Sequence, residues 1–193
     1  MSDMDRIIRQ VLSDIRVDLS DEFDKNFERQ AFFSEAWARR KSPTRPGGSI
    51  LIDKGTLRSS IRSESTNNSI TFQSTVPYAS IHNDGGDITV TRKMKMFFRK
   101  QFYKSNNRFA RKKDSSSSKI KKTLSDAGFY AWTSQMQLTP TALFWRNLAL
   151  MKEGSKIHIP KRRFLGQSPE VERIVREIID KDLSEYFNTD FKL

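Results

Sequence analysis

Alternating apolar and polar residues over two neighbouring stretches predict a β-hairpin. In the first stretch Leu57 and Ile61 share one face, and charged side chains occupy the other: Arg58, Arg62 and Glu64. In the second, residues 69–76, the members of one face are Ile70, Phe72, Ser74 and Val76. The Asn67-Asn68 pair between them predicts the turn, because Asn tolerates positive φ. One face of the hairpin is expected to be buried and the other wet, as antiparallel pairs allow.

Apolar residues at three- and four-residue steps predict a long helix at each end of the chain. The first covers 3–31, with Asp3 and Asp5 in its first turn, where negative charge meets the helix dipole. The last begins after Ser168 as N-cap and runs to about residue 186, before a frayed tail. The long stripe of the first helix either packs across the hairpin or leaves part of itself for another subunit.

Proline and glycine punctuate the chain on both sides of the hairpin. Pro77 ends the second strand, because it cannot donate to the sheet ladder. Residues 78–82 then predict a short helical turn, closed by Asp84-Gly85-Gly86. Before the hairpin, residues 39–49 are basic and rich in Pro and Gly, which predicts a surface loop. Residues 50–52 either start the sheet or dock this loop.

The middle of the chain predicts one long helical insertion between two paired strands. Short strands at 88–90 and 157–159 are expected to lie side by side, so that 91–154 leaves from a hairpin. A helix at 91–103 has four residues on one face: Met94, Phe97, Phe98 and Phe102. A second helix starts at Thr139-Pro140 and ends near Gly154, amphipathic through Leu143, Phe144, Leu148 and Met151. Residues 124–138 are ambiguous, since Gly128 weakens a helix there.

Positive charge is concentrated in this insertion. Residues 91–123 contain thirteen Lys and Arg and one acid, so they account for the whole formal charge of +12. The rest of the chain is neutral. Within 104–123 apolar periodicity is lost, and the segment is predicted to be flexible because it cannot bury enough surface to offset its ordering entropy. The basicity therefore belongs to the insertion and not to the fold.

Composition excludes several kinds of site and several classes of protein. The chain has no cysteine, so it has neither a disulfide framework nor a Cys-based metal site. No apolar run approaches the roughly 20 residues that a membrane span needs. Charged residues near Met1 predict the absence of a secretory leader. The length of 193 residues fits one domain of ordinary size with a projecting arm.

Four blocks in fixed order carry a resemblance to a known family. They are IL at 50–51 with GTLRSSI at 55–61, PYASIH at 77–82, GG at 85–86 and IPKRRFLG at 159–166. With a long helix before and after them, they resemble the Mu-like bacteriophage virion morphogenesis, or tail-completion, proteins. The resemblance covers roughly 1–90 and 155–185. Residues within the blocks that we expect to have structural roles are Gly55, Leu57, Ile61, Tyr78, Ile81, His82, Gly85, Gly86, Pro160, Arg163, Phe164 and Gly166.

The resemblance implies a structural protein of the phage particle, at the tail or the head–tail neck. It implies a homo-oligomeric ring, a hexamer being one form of it, around the DNA channel. The expected partners are further copies, other tail or neck proteins and the passing DNA, with no membrane; the expected locations are the virion and, during assembly, the host cytoplasm. The fold is expected to be α+β: a small antiparallel sheet covered by the terminal helices. Its core domain comprises 1–90 and 155–193, and the basic helical insertion comprises 91–154.

No constellation in the sequence supports catalysis, and we expect neither an enzyme nor a cofactor. The cluster at 82–87 could be drawn as a metal site around His82. Its Asn, Asp and Gly are also what a turn requires, so we favour a turn with His82 as a hydrogen-bonded packing residue. Ser59 and Ser60 lack the surroundings of a catalytic nucleophile. His158, between two isoleucines of a strand, is expected to be exposed.

A second hypothesis is that the chain binds nucleic acid through its basic insertion. Lysines and arginines interleaved with aromatic residues can neutralise phosphates, with base stacking as a minor term. For 92–103 we favour instead a buried aromatic face with solvated lysines opposite. For 104–123 no core face exists, and the candidate contacts to DNA or an acidic partner are Arg108, Arg111, Lys112, Lys113, Lys119, Lys121 and Lys122.

The bend at 160–166 carries two adjacent arginines. We expect Phe164 and Leu165 to plug the core, while Arg162 or Arg163 pairs with a carboxylate of the same or a neighbouring subunit.

Overall fold

The computed structural model describes residues 3–106 and 125–190 of the chain. Among these residues the α-helices are α1 (Asp3–Arg29), α2 (Ala79–Asp84), α3 (Arg92–Ser105), α4 (Asp126–Ser134), α5 (Pro140–Leu150) and α6 (Pro169–Asp190). The strands are β1 (Ala31–Phe32), β2 (Glu35–Ala36), β3 (Ile61–Ser65), β4 (Ile70–Ser74), β5 (Gly86–Thr89) and β6 (Lys156–Ile159). The predicted α+β class is confirmed.

The described strands form three separate two-stranded sheets: β1 with β2, β3 with β4, and β5 with β6. In the antiparallel β3–β4 hairpin, Ile61 lies opposite Ser74 and Ser65 opposite Ile70. The predicted pairing of the strands around 88–90 and 157–159 is confirmed by β5 and β6.

Contacts within the chain divide it into two compact units. Unit 1 comprises Met1–Arg39, Gly48–Gly86 and Ile159–Leu193, and unit 2 comprises Arg40–Gly47 and Asp87–His158. The division into a core domain of 1–90 and 155–193 with a basic helical insertion at 91–154 stays a prediction. The short basic loop Arg40–Gly47 groups with unit 2, where Thr141 Oγ1 donates to the carbonyl of Pro43 at 3.3 Å.

The terminal helices and the hairpin share the first core of unit 1. Ile15, Leu19 and Phe23 of α1 pack with Val171 and Ile178 of α6. Phe72 of β4 meets Phe23 edge to face at 5.0 Å between ring centroids. The second core of this unit joins residues from six segments: Phe27, Trp37, Ile50, Leu57, Ala79 and Phe164. Removing this apolar surface from water is the main stabilising term of the unit.

The start of the hairpin differs from the sequence prediction. Residues Arg58–Ser60 form a turn of 3-10 helix, and β3 begins only at Ile61. Arg58, placed on the wet face of a strand from the pattern, instead donates to the carboxylates of Asp24 and Glu28 on α1. Two ion pairs to α1 are available only if the chain turns here. The predicted strand from 57 was therefore wrong over its first four residues.

The hairpin turn is where the sequence placed it, but for another reason. Thr66 N–H donates to the carbonyl of Ser69 at 2.8 Å. Neither Asn67 nor Asn68 has positive φ; among the described non-glycine residues that conformation occurs at Gln30, Phe33 and Leu51. The alternatives for 50–52 are also decided, since no strand forms there and Ile50 docks into the core while its N–H donates to Gln30 at 2.9 Å.

The core of unit 2 is aromatic. Phe98 and Phe102 of α3 pack with Phe129 of α4 and with Ala142 and Ala149 of α5. The ambiguous stretch before residue 138 is helical as α4, with Ser125 as its N-cap. Thr139 caps α5 and Pro140 begins it, as predicted. That helix ends at Leu150 rather than near Gly154, and its buried face consists of alanines, whereas Leu143 is exposed.

Candidate functional site

The bend at residues 161–166 brings the sequence blocks 77–86 and 159–166 together. Asn83, at the end of α2, accepts hydrogen bonds from the backbone N–H groups of Phe164 at 2.9 Å and Leu165 at 3.0 Å. The carbonyl of His82 accepts one from Arg162 N–H at 2.8 Å. A segment without regular structure needs such partners, because its backbone groups have no ladder to pair with.

Glycine is required where α2 meets the bend. Gly85 has φ 75° and ψ −175°, a conformation that is almost restricted to glycine. A Cβ there would lie 2.8 Å from the backbone nitrogen of Lys161. Gly166, with φ 135°, likewise leaves room for the guanidinium of Arg163. The predicted structural roles of these glycines thus have a steric cause.

Residues around the C-terminal end of α1 hold the other side of the bend. Asn26, fully buried, donates to the carbonyl of Phe164 at 3.4 Å and accepts from Phe33 N–H at 2.9 Å. The Trp37 indole N–H donates to the carbonyl of Arg163 at 2.6 Å. Arg162 Nε donates to the carbonyl of Ala38 at 2.9 Å. We call these residues, together with His82 and Asn83, the clamp.

The clamp leaves Phe164 fully buried, as predicted, and Leu165 partly buried. Arg163 makes other contacts in the described part of the chain, and the pairing of one of the two arginines with a carboxylate of this or a neighbouring subunit stays a prediction. The guanidinium of Arg163 lies 4.7 Å from the ring centroid of Phe32 and donates to the carbonyl of Gln167 at 2.5 Å. An arginine stacked on an aromatic ring needs no acid, since the ring face itself attracts the cation.

His82 is half-buried, and its carbonyl accepts the hydrogen bond from Arg162 N–H. Its Nδ1 is buried with no hydrogen-bond partner in the described part of the chain. Burial, together with the nearby Arg162, lowers the pKa of His82, which favours the neutral ring. The rings of Tyr78 and His82 are nearly perpendicular, with 6.1 Å between their centroids. A packing role for His82 stays a prediction.

No three His, Cys, Asp or Glu side chains cluster as metal ligands in residues 3–106 and 125–190. Asp87, the last residue of the cluster at 82–87, contacts His158 Nδ1 at 3.1 Å and Lys156 at 3.7 Å. The side chain of His158 is 75% exposed, which confirms the prediction for this residue.

Part of the basic insertion is used inside unit 2. Lys95, buried, pairs with Asp126 at the start of α4, and Arg99 reaches the same carboxylate at 2.6 Å. Arg99 also lies 4.9 Å from the ring centroid of Phe129. These two cations hold α3 to α4. They are not available to a polyanion.

The outward side of α3 has a different character. Lys93, Lys100 and Lys104 are exposed. Phe98 and Phe102 are buried, as the interpretation of an aromatic core face required, but Phe97 is 50% exposed. The seven predicted contacts to DNA or an acidic partner, from Arg108 to Lys122, lie outside the described residues.

Sequence reasoning missed Asn26, Asn83 and Asp126. Asn26 had a signal, because it is a polar residue on the apolar face of α1, beside Phe27. Asn83 lies directly after the block PYASIH. Asp126 had no signal, since its partners are more than 25 positions away in the chain.

No helix in the described ranges is long and apolar enough to cross a membrane.

Comparison with known proteins places the chain. No curated protein and no solved structure matches it. The sequence model of the phage virion morphogenesis family matches residues 3–184, which include the clamp, all of α1, the insertion and α6 as far as residue 184. The match covers most of the 193 residues. The chain therefore belongs to the phage virion morphogenesis family and has a structural or assembly role in the phage particle.

Proposed function

We propose that the chain is a tail-completion or head–tail neck component that forms a ring of identical subunits around the path of the DNA. It acts in the virion, after assembly in the host cytoplasm. Its task is geometric: it closes one end of a substructure and offers a platform to the next component. It carries out no catalysis under this proposal.

The observation that carries the proposal is the use of the motif residues at the clamp. Gly85, Arg163 and Phe164 contact other parts of unit 1, and the blocks converge on a backbone junction rather than on an open site. A shared sequence that builds a rigid scaffold suits a protein whose surface, not a reactive side chain, performs the function. Rings arise when one surface of a subunit binds a different surface of the next.

The test is the mass of the purified chain and its capacity to join particles. Light scattering over a range of concentrations is expected to give a multiple of the 22.5 kDa subunit mass. Added to particles that lack it, the protein is expected to be incorporated, and imaging of the intact particle should place it at the neck or tail end. A strict monomer that also fails to join particles would contradict the proposal.

A second candidate function is direct nucleic-acid binding by the insertion. The exposed lysines of α3 and the exposed ring of Phe97 favour it. It predicts duplex or single-strand binding that weakens steeply with salt, about one power of salt concentration per phosphate contact. Deleting residues 107–123, which leaves all of α3 in place, should weaken that binding strongly and leave a ring intact. A variant that loses its oligomeric state with this deletion would speak against both assignments of the segment.

A further inference from the structure

A groove of about 890 Å³ lies between α1 and α6 in unit 1. Six acids and four bases line it. The bases Lys25, Arg29 and Arg173 are already paired with acids of the groove. The acids without an ion-pair partner among the described residues are Asp14, Asp18 and Asp182. The fourth base, Lys181, also has no ion pair with a described acid of the groove, so three acids stand against one base and the unsatisfied charge of the groove is net negative.

Asp182 is the unusual member of the group. It is 5% exposed, and its Oδ2 has no hydrogen-bond partner in the described part of the chain. A buried carboxylate oxygen without a donor is costly, and native structures rarely contain one without a functional reason. Burial, and then the charge of Asp14, raise the pKa of Asp182. A cation from a partner would supply the missing hydrogen-bond donor and would offset the repulsion between Asp182 and Asp14.

The outer face of α3 in unit 2 offers matching cations. Lys93, Lys100 and Lys104 have no carboxylate partner among the described residues. They share this face with Met96, which is 66% exposed, and with Phe97. Exposed apolar side chains flanked by unpaired lysines are typical of a surface that a partner covers.

We propose that the groove of one copy receives the outer face of α3 from a second copy. Asp14 and Asp18 are four positions apart on α1, as Lys100 and Lys104 are on α3. Each pair therefore spans about 6 Å along its helix axis and points to one side. Val17, 58% exposed at the groove, gives the apolar residues of α3 a surface to pack on.

This contact deepens the proposed ring and rests on it. It joins two different surfaces, so each copy presents one of each, and repetition gives a closed ring or a filament. The complementary charges would also orient the subunits as they approach each other.

The test reverses the charges one surface at a time. Asp14→Lys with Asp18→Lys changes the groove, and Lys100→Glu with Lys104→Glu changes the helix face. Each double variant alone is expected to weaken self-association about tenfold or more, measured by sedimentation and native mass spectrometry. Mixed one to one, the two variants offer one unaltered contact and one charge-swapped contact, so they should assemble together with the two variants alternating. All four changes in one chain should restore assembly.

Matched controls separate contact from net charge and from misfolding. Asp180→Lys, on α6 outside the groove, and Lys152→Glu, in the loop after α5, should leave the oligomer unchanged. Asp182→Asn should weaken association while its melting temperature stays equal to or above that of the unaltered chain. A melting temperature that falls for the double variants would be checked against the four-change chain, which must refold and assemble if the contact exists.

Three results would overturn the inference. If the unaltered chain forms rings and both double variants do so equally well, this contact is wrong while the ring stands. If the unaltered chain is always monomeric and is not incorporated, the ring and the contact fail together. If the Lys100→Glu, Lys104→Glu variant keeps its oligomeric mass but loses binding to duplex DNA, the face of α3 serves nucleic acid instead.

Discussion

The clamp of unit 1 and the α3–α4 junction of unit 2 are held by different kinds of interaction. At the clamp, Asn26, Trp37 and Asn83 bond to backbone groups of the bend, and neutral side chains make most of the contacts. At the junction, Lys95 and Arg99 share the carboxylate of Asp126. The first arrangement depends on shape and the second on charge.

This difference explains why the sequence blocks that resemble the family lie around the clamp. At the clamp, one side-chain oxygen must accept from two backbone N–H groups, and few residue types can do so. The neighbouring turn has a conformation that is almost restricted to glycine. An ion pair between two helices can be built from several residue pairs at several positions. The blocks around the clamp accordingly carried the resemblance, whereas the junction offered no pattern to recognise.

The largest expected effect is from removing the residue that fills the clamp. Phe164→Ala should lower the free energy of unfolding by about 3–5 kcal/mol, because it leaves a cavity among buried aromatic rings. Denaturant titration measures it. Met96→Ala, at an exposed position of α3, is the control and should change stability by less than about 0.5 kcal/mol. Similar losses from both would refute the placement of Phe164 in the core.

The second-largest effect is expected at Gly85, directly after α2, where the backbone of Lys161 lies close. Gly85→Ala should cost about 3 kcal/mol, from backbone strain and from a Cβ pressed against Lys161. Gly154→Ala is the matched control, since Gly154 also has positive φ, 86°, but nothing lies within 4 Å of its Cβ position. It should cost only about 1 kcal/mol. Equal melting temperatures for the two variants would contradict the close approach of Lys161 to Gly85.

A smaller effect is expected at the acceptor of the clamp. Asn83→Ala leaves the N–H groups of Phe164 and Leu165 without their partner and should cost about 1–3 kcal/mol. Asn83→Asp keeps an oxygen acceptor at the same place and should recover part of the loss, since it gives up the bond to Asp84 and sets a second carboxylate beside it. The measurement is thermal unfolding at neutral pH. No difference between alanine and aspartate would mean that the acceptor does not matter.

The charged junction should lose stability in acid through Asp126, whereas the backbone hydrogen bonds that Asn83 accepts in the clamp should not. The hydrogen bond from Lys95 lowers the pKa of Asp126, so its stabilisation is complete above the unfolded value of about 3.9 and is lost as pH falls toward the lowered one. Asp126→Asn should therefore cost about 1–2 kcal/mol at pH 7 and progressively less below about pH 4.

The clamp supplies the control for that titration. The deficit of Asn83→Ala relative to the unaltered chain should change less between pH 7 and pH 4 than that of Asp126→Asn, because the bonds that Asn83 accepts come from backbone N–H groups and its bond to a titrating group, the carboxylate of Asp84, is exposed. Unfolding curves at the two pH values measure both deficits. A pH-independent deficit for Asp126→Asn would show that Lys95 gains nothing from the charge.

Local signals predicted the elements whose causes are local. Thr139-Pro140 and Ser168-Pro169 marked two helix starts, and alternation marked β4. Where a distant partner decided the conformation, the prediction failed. Arg58 lies outside the strand, where it binds the acids Asp24 and Glu28 of α1. Leu143 faces outward because the buried face of α5 consists of alanines, which allow close approach to its neighbours.

The sequence by itself determined the helices, the hairpin, the concentration of charge between 91 and 123, and the family, since these follow from residue type and short-range spacing. Tertiary structure alone decided which charges are satisfied. Lys95 and Lys100 are five positions apart on one helix, yet one is buried against Asp126 and the other is exposed. The value of a charge depends on its burial and its partner, and both are set by residues far away in the chain.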